Sequence, residues 1–503
     1  MVKLYLLLFF CWGQIFPQQN ILIGPIKNYF FSLQPDTVKT TPLRIELIQP
    51  SFLGMPRRNF YGFDPPDTLE IIWKVYLGRG TTNLSSKQGE RTWYGCGWTG
   101  QPLLIREDSG LFLIQGAYDH NLKKINAETG EIVWEYSFDD VIKGTGTLWI
   151  NPDPQGDEDS VIIFQGSRLG NENHLYSHVV PSFRAISYSS GEELWRMNVK
   201  QTESYSRDVD GSGIIVDDTL YIGLENGLLA VINPHPSAAY SAQGILQPEI
   251  IAEFKLYSPE DVYKHAGNLV TESSISRLGN HLYIASGSGH VYGYSLTDDT
   301  LDWDFYIGSD IDGSPVVTED SCLLISVEKQ YINGPGGILK INPQVDPESC
   351  VVWFFPVGDY QYADWQGGVI GTCGINDYYR SNSQPYLACF MGIDGYIYVV
   401  KHQIIDSLSP PQLGPDNRTL YPLPELVYKY KIGPSISTPL IFEHKLIAAG
   451  YQGIYLFSYD HDLVFSLIHH LPIPCEATGV VFNNRLFIGS RDGYLYCLGK
   501  RVR

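Results

Sequence analysis

The sequence predicts an all-β fold, an eight-bladed β-propeller. A tryptophan-marked repeat, eight apolar hairpins and a composition poor in helix-forming stretches all point to it. Glycine (49) and tyrosine (34) are abundant, methionine (4) is scarce, and charged residues make up 18% of 503. Glycine and aromatic residues suit short strands joined by tight turns, and the Ala/Glu/Lys-rich runs that build helices are few.

The repeat is plain once tryptophans serve as markers. Gly130-Glu-Ile-Val-Trp134 recurs as Gly191-Glu-Glu-Leu-Trp195, then more loosely as Thr300-Leu-Asp-Trp303 and Cys350-Val-Val-Trp353. Apolar hairpin strands begin at Leu111, Val161, Leu220, Leu282, Leu323, Tyr386, Leu446 and Leu486. Most lead into a glycine turn and another strand, as in Gly289-His-Val-Tyr-Gly-Tyr294. Each unit therefore has an inner strand, the hairpin pair and an outer strand carrying an aromatic. Four-stranded blades arranged around an axis leave only short, protected sheet edges. Trp134, Trp195, Trp303 and Trp353 are assigned to dock one blade on the next, where a large ring buries much area. Phe254, Tyr428 and Phe465 fill the same place in other units.

The eighth hairpin ends near Leu498, too late for an outer strand of its own. Thr68-Leu-Glu-Ile-Ile-Trp73-Lys-Val-Tyr76 has the missing pattern and its docking tryptophan, Trp73. This N-terminal strand is expected to close the last blade, removing two open edges. The domain reading follows: a signal peptide over 1–19, an N-terminal extension over 20–67, and the propeller over 68–503. Met-Val-Lys followed by the short apolar run Leu4 to Phe16 carries the leader signature. The extension, rich in proline, reads as an arm packed along the propeller or a flexible tether.

Export brings oxidising surroundings, yet seven cysteines follow the leader, an odd number. Cys322 and Cys350 lie in loops that could bridge, and Cys373 and Cys389 fall on neighbouring strands; spacing settles neither pairing. Asn83-Leu-Ser85 and Asn417-Arg-Thr419 are glycosylation-type sequons. The net charge of −20 repels phosphate backbones, so nucleic-acid binding is excluded. No segment after the leader is apolar enough to span a membrane.

The unit Lys124-Ile-Asn-Ala-Glu-Thr-Gly-Glu-Ile-Val-Trp134 resembles the repeat of the pyrroloquinoline-quinone (PQQ) family, in which Ala-x-Asp-x-x-x-Gly-Lys-x-x-Trp is typical. The resemblance runs over nearly all of 68–498. It implies the propeller fold, but one fold hosts many functions. Family members include PQQ- and calcium-dependent alcohol and glucose dehydrogenases. Others are cofactor-free, such as the propeller lipoprotein of bacterial outer-membrane assembly, and this chain is closest in style to such secreted, non-catalytic members.

In a propeller, the loops entering the inner strands converge on one mouth of the central channel, where a site is sought. Here they hold Trp98, Arg207, His265, Asn268, Glu272, Trp365 and Gln366 as ligand-binding candidates, with Glu476 also present. Trp98 and Trp365 suit stacking on a planar ring or plugging the channel, and Arg207 suits an anion. His120 and His265 offer acid–base or metal chemistry, or none. Asp208-Val-Asp210-Gly-Ser212 and Asp310-Ile-Asp312-Gly-Ser314 share a pattern. Their alternating carboxylates supply hard oxygen ligands for calcium; the same pattern also reads as punctuation opening an inner strand. Neither loop has the full calcium-loop signature.

Three functions follow. The first is an exported scaffold, in the periplasm, at the cell surface or outside the cell, that binds an envelope or extracellular protein or glycan without catalysis. The second, implied by the resemblance alone, is a PQQ- and calcium-dependent dehydrogenase. Glu272 and Asn268 would then hold calcium, Asp310 or Asp312 would be the base, and Trp365 the stacking platform. The third is a carbohydrate lyase or hydrolase using the carboxylates. No vicinal Cys-Cys, Cys-x-x-Cys-His or Gly-x-Ser-x-Gly motif occurs. The first reading leads, with no organic cofactor expected, the quinone disfavoured and calcium the candidate ion.

Overall fold

Eight four-stranded antiparallel sheets stand around a common channel in the computed structural model, which describes residues 45–54, 56–84 and 88–501. The leader and the first part of the extension lie outside the described residues, as does Ser85 of the first sequon. From inner to outer strand, blades 1 to 7 run over 103–137, 147–197, 214–255, 276–306, 316–356, 374–431 and 440–471. Blade 8 takes three strands from 480–499 and its outer strand, Glu70–Tyr76, from the other end of the chain. The closing register is antiparallel, with Trp73 opposite Cys497 and Tyr76 opposite Tyr494. The ring is fastened by its own termini.

Burial along each blade follows from its two neighbours. A middle strand such as Val161–Gly166 is buried at every position, because flanking blades cover both faces. An outer strand such as Thr300–Tyr306 alternates between exposed and half-buried. In every blade the outermost pairing slips register at least once. Such bulges increase local twist, which the radial arrangement needs.

The outer tryptophans sit at the seams between blades. The Trp134 indole N–H donates to the Tyr188 carbonyl of blade 2 (3.1 Å), and Trp195 to Pro234 of blade 3 (3.4 Å). Trp303 reaches Val345 of blade 5 (3.1 Å), Trp353 reaches His402 of blade 6 (2.9 Å), and Trp73 crosses the closure to Ala127 of blade 1 (3.2 Å). Gly130 and Gly191 turn with φ of 77° beneath two of these rings. A Cβ at either glycine would lie 2.8 Å from the ring of Trp73 or Trp134. The seam needs a residue without a side chain there.

The described part of the extension runs into the channel. Glu46–Gln49 pairs with the inner edge of blade 1, Leu47 opposite Ile105. The chain then crosses the ring. Pro50 accepts from the Leu148 N–H of blade 2 (2.7 Å), Arg57 from Val317 of blade 5 (3.0 Å), and Gly62 bridges Val481 of blade 8. The Tyr61 hydroxyl donates to Ile375 of blade 6 (3.1 Å) and accepts from its N–H (2.7 Å). Arg58, 1% exposed, donates to the carbonyls of Ile275 (2.5 and 2.8 Å) and Phe52 (2.6 Å), and to the Ser51 hydroxyl (2.9 Å). Two longer bonds reach Ser212 (3.5 Å) and Gly213 (3.4 Å) of blade 3. Burial pulls its pKa down to about 9. A guanidinium away from water is tolerated only where its donors are satisfied.

All seven described cysteines are buried free thiols. Cys322 and Cys350 are not bridged, because strand Gly337–Ile341 runs between them: Ile341 pairs with Leu323 on one side and Val351 on the other. Cys373 donates to the Cys389 carbonyl (3.3 Å). Among the described residues, no helix is long and apolar enough to cross a membrane.

Candidate functional site

Where each inner strand begins, one polar residue per blade, a hydroxyl in every blade but the first, links neighbouring blades. The backbone N–H of one blade donates to the hydroxyl of the next: Gln101 to Thr145 (2.8 Å), Ser212 to Ser274 (2.9 Å) and Ser274 to Ser314 (2.9 Å). Ser314 continues to Thr372 (2.9 Å), and Thr438 to Thr478 (3.3 Å). This belt sets the register of the ring. The glycine and serine of both Asp-x-Asp-Gly-Ser loops therefore serve the fold, while their aspartates stand clear of it.

Two positions before each belt residue, the chain presents one side chain to the mouth. In blades 2 to 5 these are Lys143, Asp210, Glu272 and Asp312; in blades 6 and 7 they are Ile370 and Ile436; in blade 8 it is Glu476. The mouth is thus divided. On one side Trp98, Ile370, Ile393 and Ile436 form an apolar cluster with Tyr362 and Trp365 against it. On the other lies a cavity of about 330 Å³. Its lining includes Asp208, Glu225, Glu272, Asp310, Asp312, Glu328 and Asp364, against the cations Lys143 and Arg168.

Both cations are already engaged. Arg168 pairs with Asp208 (2.7 Å) and bonds Thr82 (2.7 Å) on the hairpin Arg79–Asn83 and Glu90–Tyr94, which leans over the mouth. Lys143 contacts Asp210, Glu272 (3.3 Å) and Glu225 (3.8 Å). Burial opposes its charge, but these three carboxylates outweigh burial and hold its pKa well above the usual lysine range. Burial, opposed by Lys143, pushes Asp210 up to about 6.

Asp310, Asp312 and Glu328 form a second trio, with one oxygen of each within 4.8 Å of the others. A neutral donor to it is the Asn268 amide, 2.5 Å from Asp310. Burial and Glu272 push Asp310 up to about 7. Burial and Asp310 also push Asp312 and Glu328 well above the carboxylate range. One oxygen of Asp310 and the Asn268 side-chain oxygen are buried without a hydrogen-bond partner. They converge beside Gly287, where an added Cβ would sit 2.8 Å from each.

The other sequence candidates disperse. Arg207 is 1% exposed and away from the cavity, donating to Val199 (2.6 Å), Leu175 (2.9 Å), Ser177 (2.7 Å) and Asn198 (3.1 Å). Burial lowers its pKa to about 10, and four of its five N–H donors are already used within the chain. His265 follows the short helix Pro259–Lys264, whose Ser258 cap accepts from the Asp261 N–H (3.4 Å). The His265 ring packs on Tyr331 (4.8 Å), outside the cavity lining, and burial lowers its pKa. Asp208 belongs to the Arg168 pair and stands apart from both trios. Trp98 joins the apolar cluster and Trp365 lines the cavity, whereas Gln366 points to solvent. His120 bonds the Thr81 carbonyl (3.0 Å), and Glu476 pairs with Arg491 (3.3 Å) and Tyr451 (2.9 Å).

Lys143, Arg168, Glu225 and Glu328 were missed by sequence reasoning. A signal existed for three of them. Aligned on Lys143-Gly-Thr145, Asp210-Gly-Ser212 and Asp312-Gly-Ser314, the blades place Lys143 in the column of the aspartates. Glu225 and Glu328 each follow the first hairpin strand of their blades, after Leu224 and Val327.

Comparison with known proteins agrees with this architecture. A family model described as outer membrane protein assembly factor BamB matches residues 63–256. BamB from Moraxella catarrhalis superposes with a TM-score of 0.50 at 12% identity, covering 86% of this chain and 100% of that one. The quinohemoprotein alcohol dehydrogenase from Comamonas testosteroni gives 0.52 at 12% identity, covering 90% and 81%. No curated protein matches by sequence. The chain is a β-propeller, and over residues 63–256 it is similar to the PQQ-like repeat family. At this identity the two solved structures speak for the fold alone, and the matched family model spans less than half of the sequence.

Proposed function

We propose that this chain is an exported propeller that binds a partner at the cell envelope through its acidic channel mouth, without catalysing a reaction of its own. One observation carries the reading: among the described residues, seven carboxylates line the cavity, and its two cations are already paired with two of them. Such a mouth attracts positive charge and repels negative charge. The matched family model, an outer membrane assembly factor, supports an envelope setting and a protein partner in preference to a glycan.

The quinone of the dehydrogenases that the repeat resembles carries three carboxylates, and among the described residues no cation lining this cavity is free to receive them. The charge balance therefore argues against a dehydrogenase. A cation fits better. Calcium favours hard oxygen donors, and Asp310, Asp312, Glu328 and Asn268 would hold it. The charged groups of a protein partner are the other source of positive charge.

The test is to titrate purified protein with PQQ and calcium chloride while recording the quinone spectrum and dye-linked oxidation of alcohols and sugars. We expect neither a saturable spectral change nor turnover. Saturable binding with turnover overturns the reading.

A further inference from the structure

The two carboxylate trios, Asp210, Glu225 and Glu272 against Asp310, Asp312 and Glu328, share two equivalent positions and differ in what stands beside them. In blade 3, Asp210 stands two residues before the belt and Glu225 follows the first hairpin strand; in blade 5, Asp312 and Glu328 hold the same two positions. The preceding blade presents Lys143 to the blade 3 pair, and its ammonium contacts Asp210 and lies 3.8 Å from Glu225. At the corresponding place before blade 5 stands Glu272, a carboxylate. Blade 3 thus carries its own ammonium, and blade 5 has a negative charge where that ammonium would be.

We infer that the blade 5 trio is a seat for an external primary ammonium, a lysine side chain of the protein partner, in the position that Lys143 occupies in blade 3. This rests on the reading of the mouth as a partner-binding site and names the chemistry of that partner. Three clustered acids alone would not establish a seat. Here the buried, unpartnered oxygens of Asn268 and Asp310 also point to a missing donor. An ammonium has three N–H groups to give such acceptors. The cavity volume also favours an amine over a bare ion. About 330 Å³ is far more than one ion fills, since a water's share of liquid volume is about 30 Å³. Trp93, Leu169 and Trp365, which line the cavity and are part-exposed, offer an apolar surface for the alkyl stem. The net charge of −20 steers a basic segment toward the protein.

The experiment is a calorimetric titration of the full-length chain with an acetylated, amidated trilysine peptide at low salt. Parallel titrations use the ε-acetylated peptide and calcium chloride. Asp312→Asn and Glu328→Gln remove charge from the seat, and Asp217→Asn removes an exposed acid elsewhere on blade 3; thermal melts establish that all three are folded. We expect trilysine to bind, Asp312→Asn and Glu328→Gln to weaken it at least tenfold, Asp217→Asn to change it less than twofold, and ε-acetylation to abolish it. Equal weakening by all three variants, or no binding, overturns the seat. Calcium binding that requires Asp312 and Glu328 while trilysine fails to compete also overturns it, by making the trio a metal site. That last result leaves the cationic mouth standing, whereas quinone turnover removes the proposed function itself.

Discussion

The two ends of the channel solve opposite electrostatic problems. At one, a cation is buried among neutral acceptors: Arg58 donates to carbonyls and one hydroxyl, with no carboxylate partner. At the other, carboxylates crowd against each other, and the second trio has a further carboxylate, Glu272, and the Asn268 amide beside it. The arm end is internally satisfied and so belongs to the fold. The acidic end has unmet acceptors and so is able to receive something. A buried charge that is fully hydrogen-bonded acts as structure, and one that is not raises the free energy of the empty state.

The largest expected effect removes the frame shared by both ends. Truncation after Gly489 deletes strand Tyr494–Gly499, leaves Glu70–Tyr76 without a partner and opens the ring. We expect loss of the cooperative urea transition for the whole chain, not fraying of one blade. A truncated protein that unfolds like the full one would refute closure as the source of stability.

Next comes the arm. Arg58→Met leaves several carbonyls buried without donors, and we expect a loss of about 2–4 kcal/mol in urea unfolding. Arg58→Lys should recover little, because an ammonium cannot reproduce the planar fork.

The acidic end should respond to pH with a definite sign. Asp210 and Asp310 titrate at about 6 and about 7 in the folded protein, above the ordinary carboxylate value of 3.8. Between those limits the folded state holds protons that the unfolded chain has released. Their stabilising contribution is full below about pH 4 and is lost as pH rises to about 7. Melting temperature in cation-free buffer should therefore fall across this window, and a bound cation should flatten the fall. A melting temperature that rises from pH 4 to 7 would contradict uncompensated burial at the mouth.

Smaller, and opposite in sign to the arm variant, is Asp312→Asn. Removing one of several mutually repelling buried charges should stabilise the cation-free protein by about 1 kcal/mol at pH 8. Chemical denaturation gives the sign, and a loss of stability would mean that Asp312 is satisfied within the chain. The seams give the smallest effect. Trp134→Phe keeps a benzene ring at the seam but loses the bond to Tyr188 and part of the indole's packing, for about 1 kcal/mol.

Much of the fold was legible because its signals are local and repeated. Gly130-Glu-Ile-Val-Trp134 announces a turn and an outer strand wherever it recurs, and Thr68 to Tyr76 has a strand pattern with no blade near it in sequence. The site was less legible. Asp310 and Asp312 were visible as a motif, but Glu328 lies on another strand end and carries no signal in isolation. Arg207 looked available beside Asp208, yet its side chain turns into loop carbonyls while its neighbour pairs with Arg168.

The sequence by itself determined the number of blades, the closing strand and the acidic character of the mouth, since periodicity and composition are properties of the chain. Only the tertiary structure decided which acids share a trio, that Lys143 neutralises one of them, and that the arm runs through the channel. Those outcomes depend on distances between residues far apart in sequence, and a buried charge is set by what surrounds it in space.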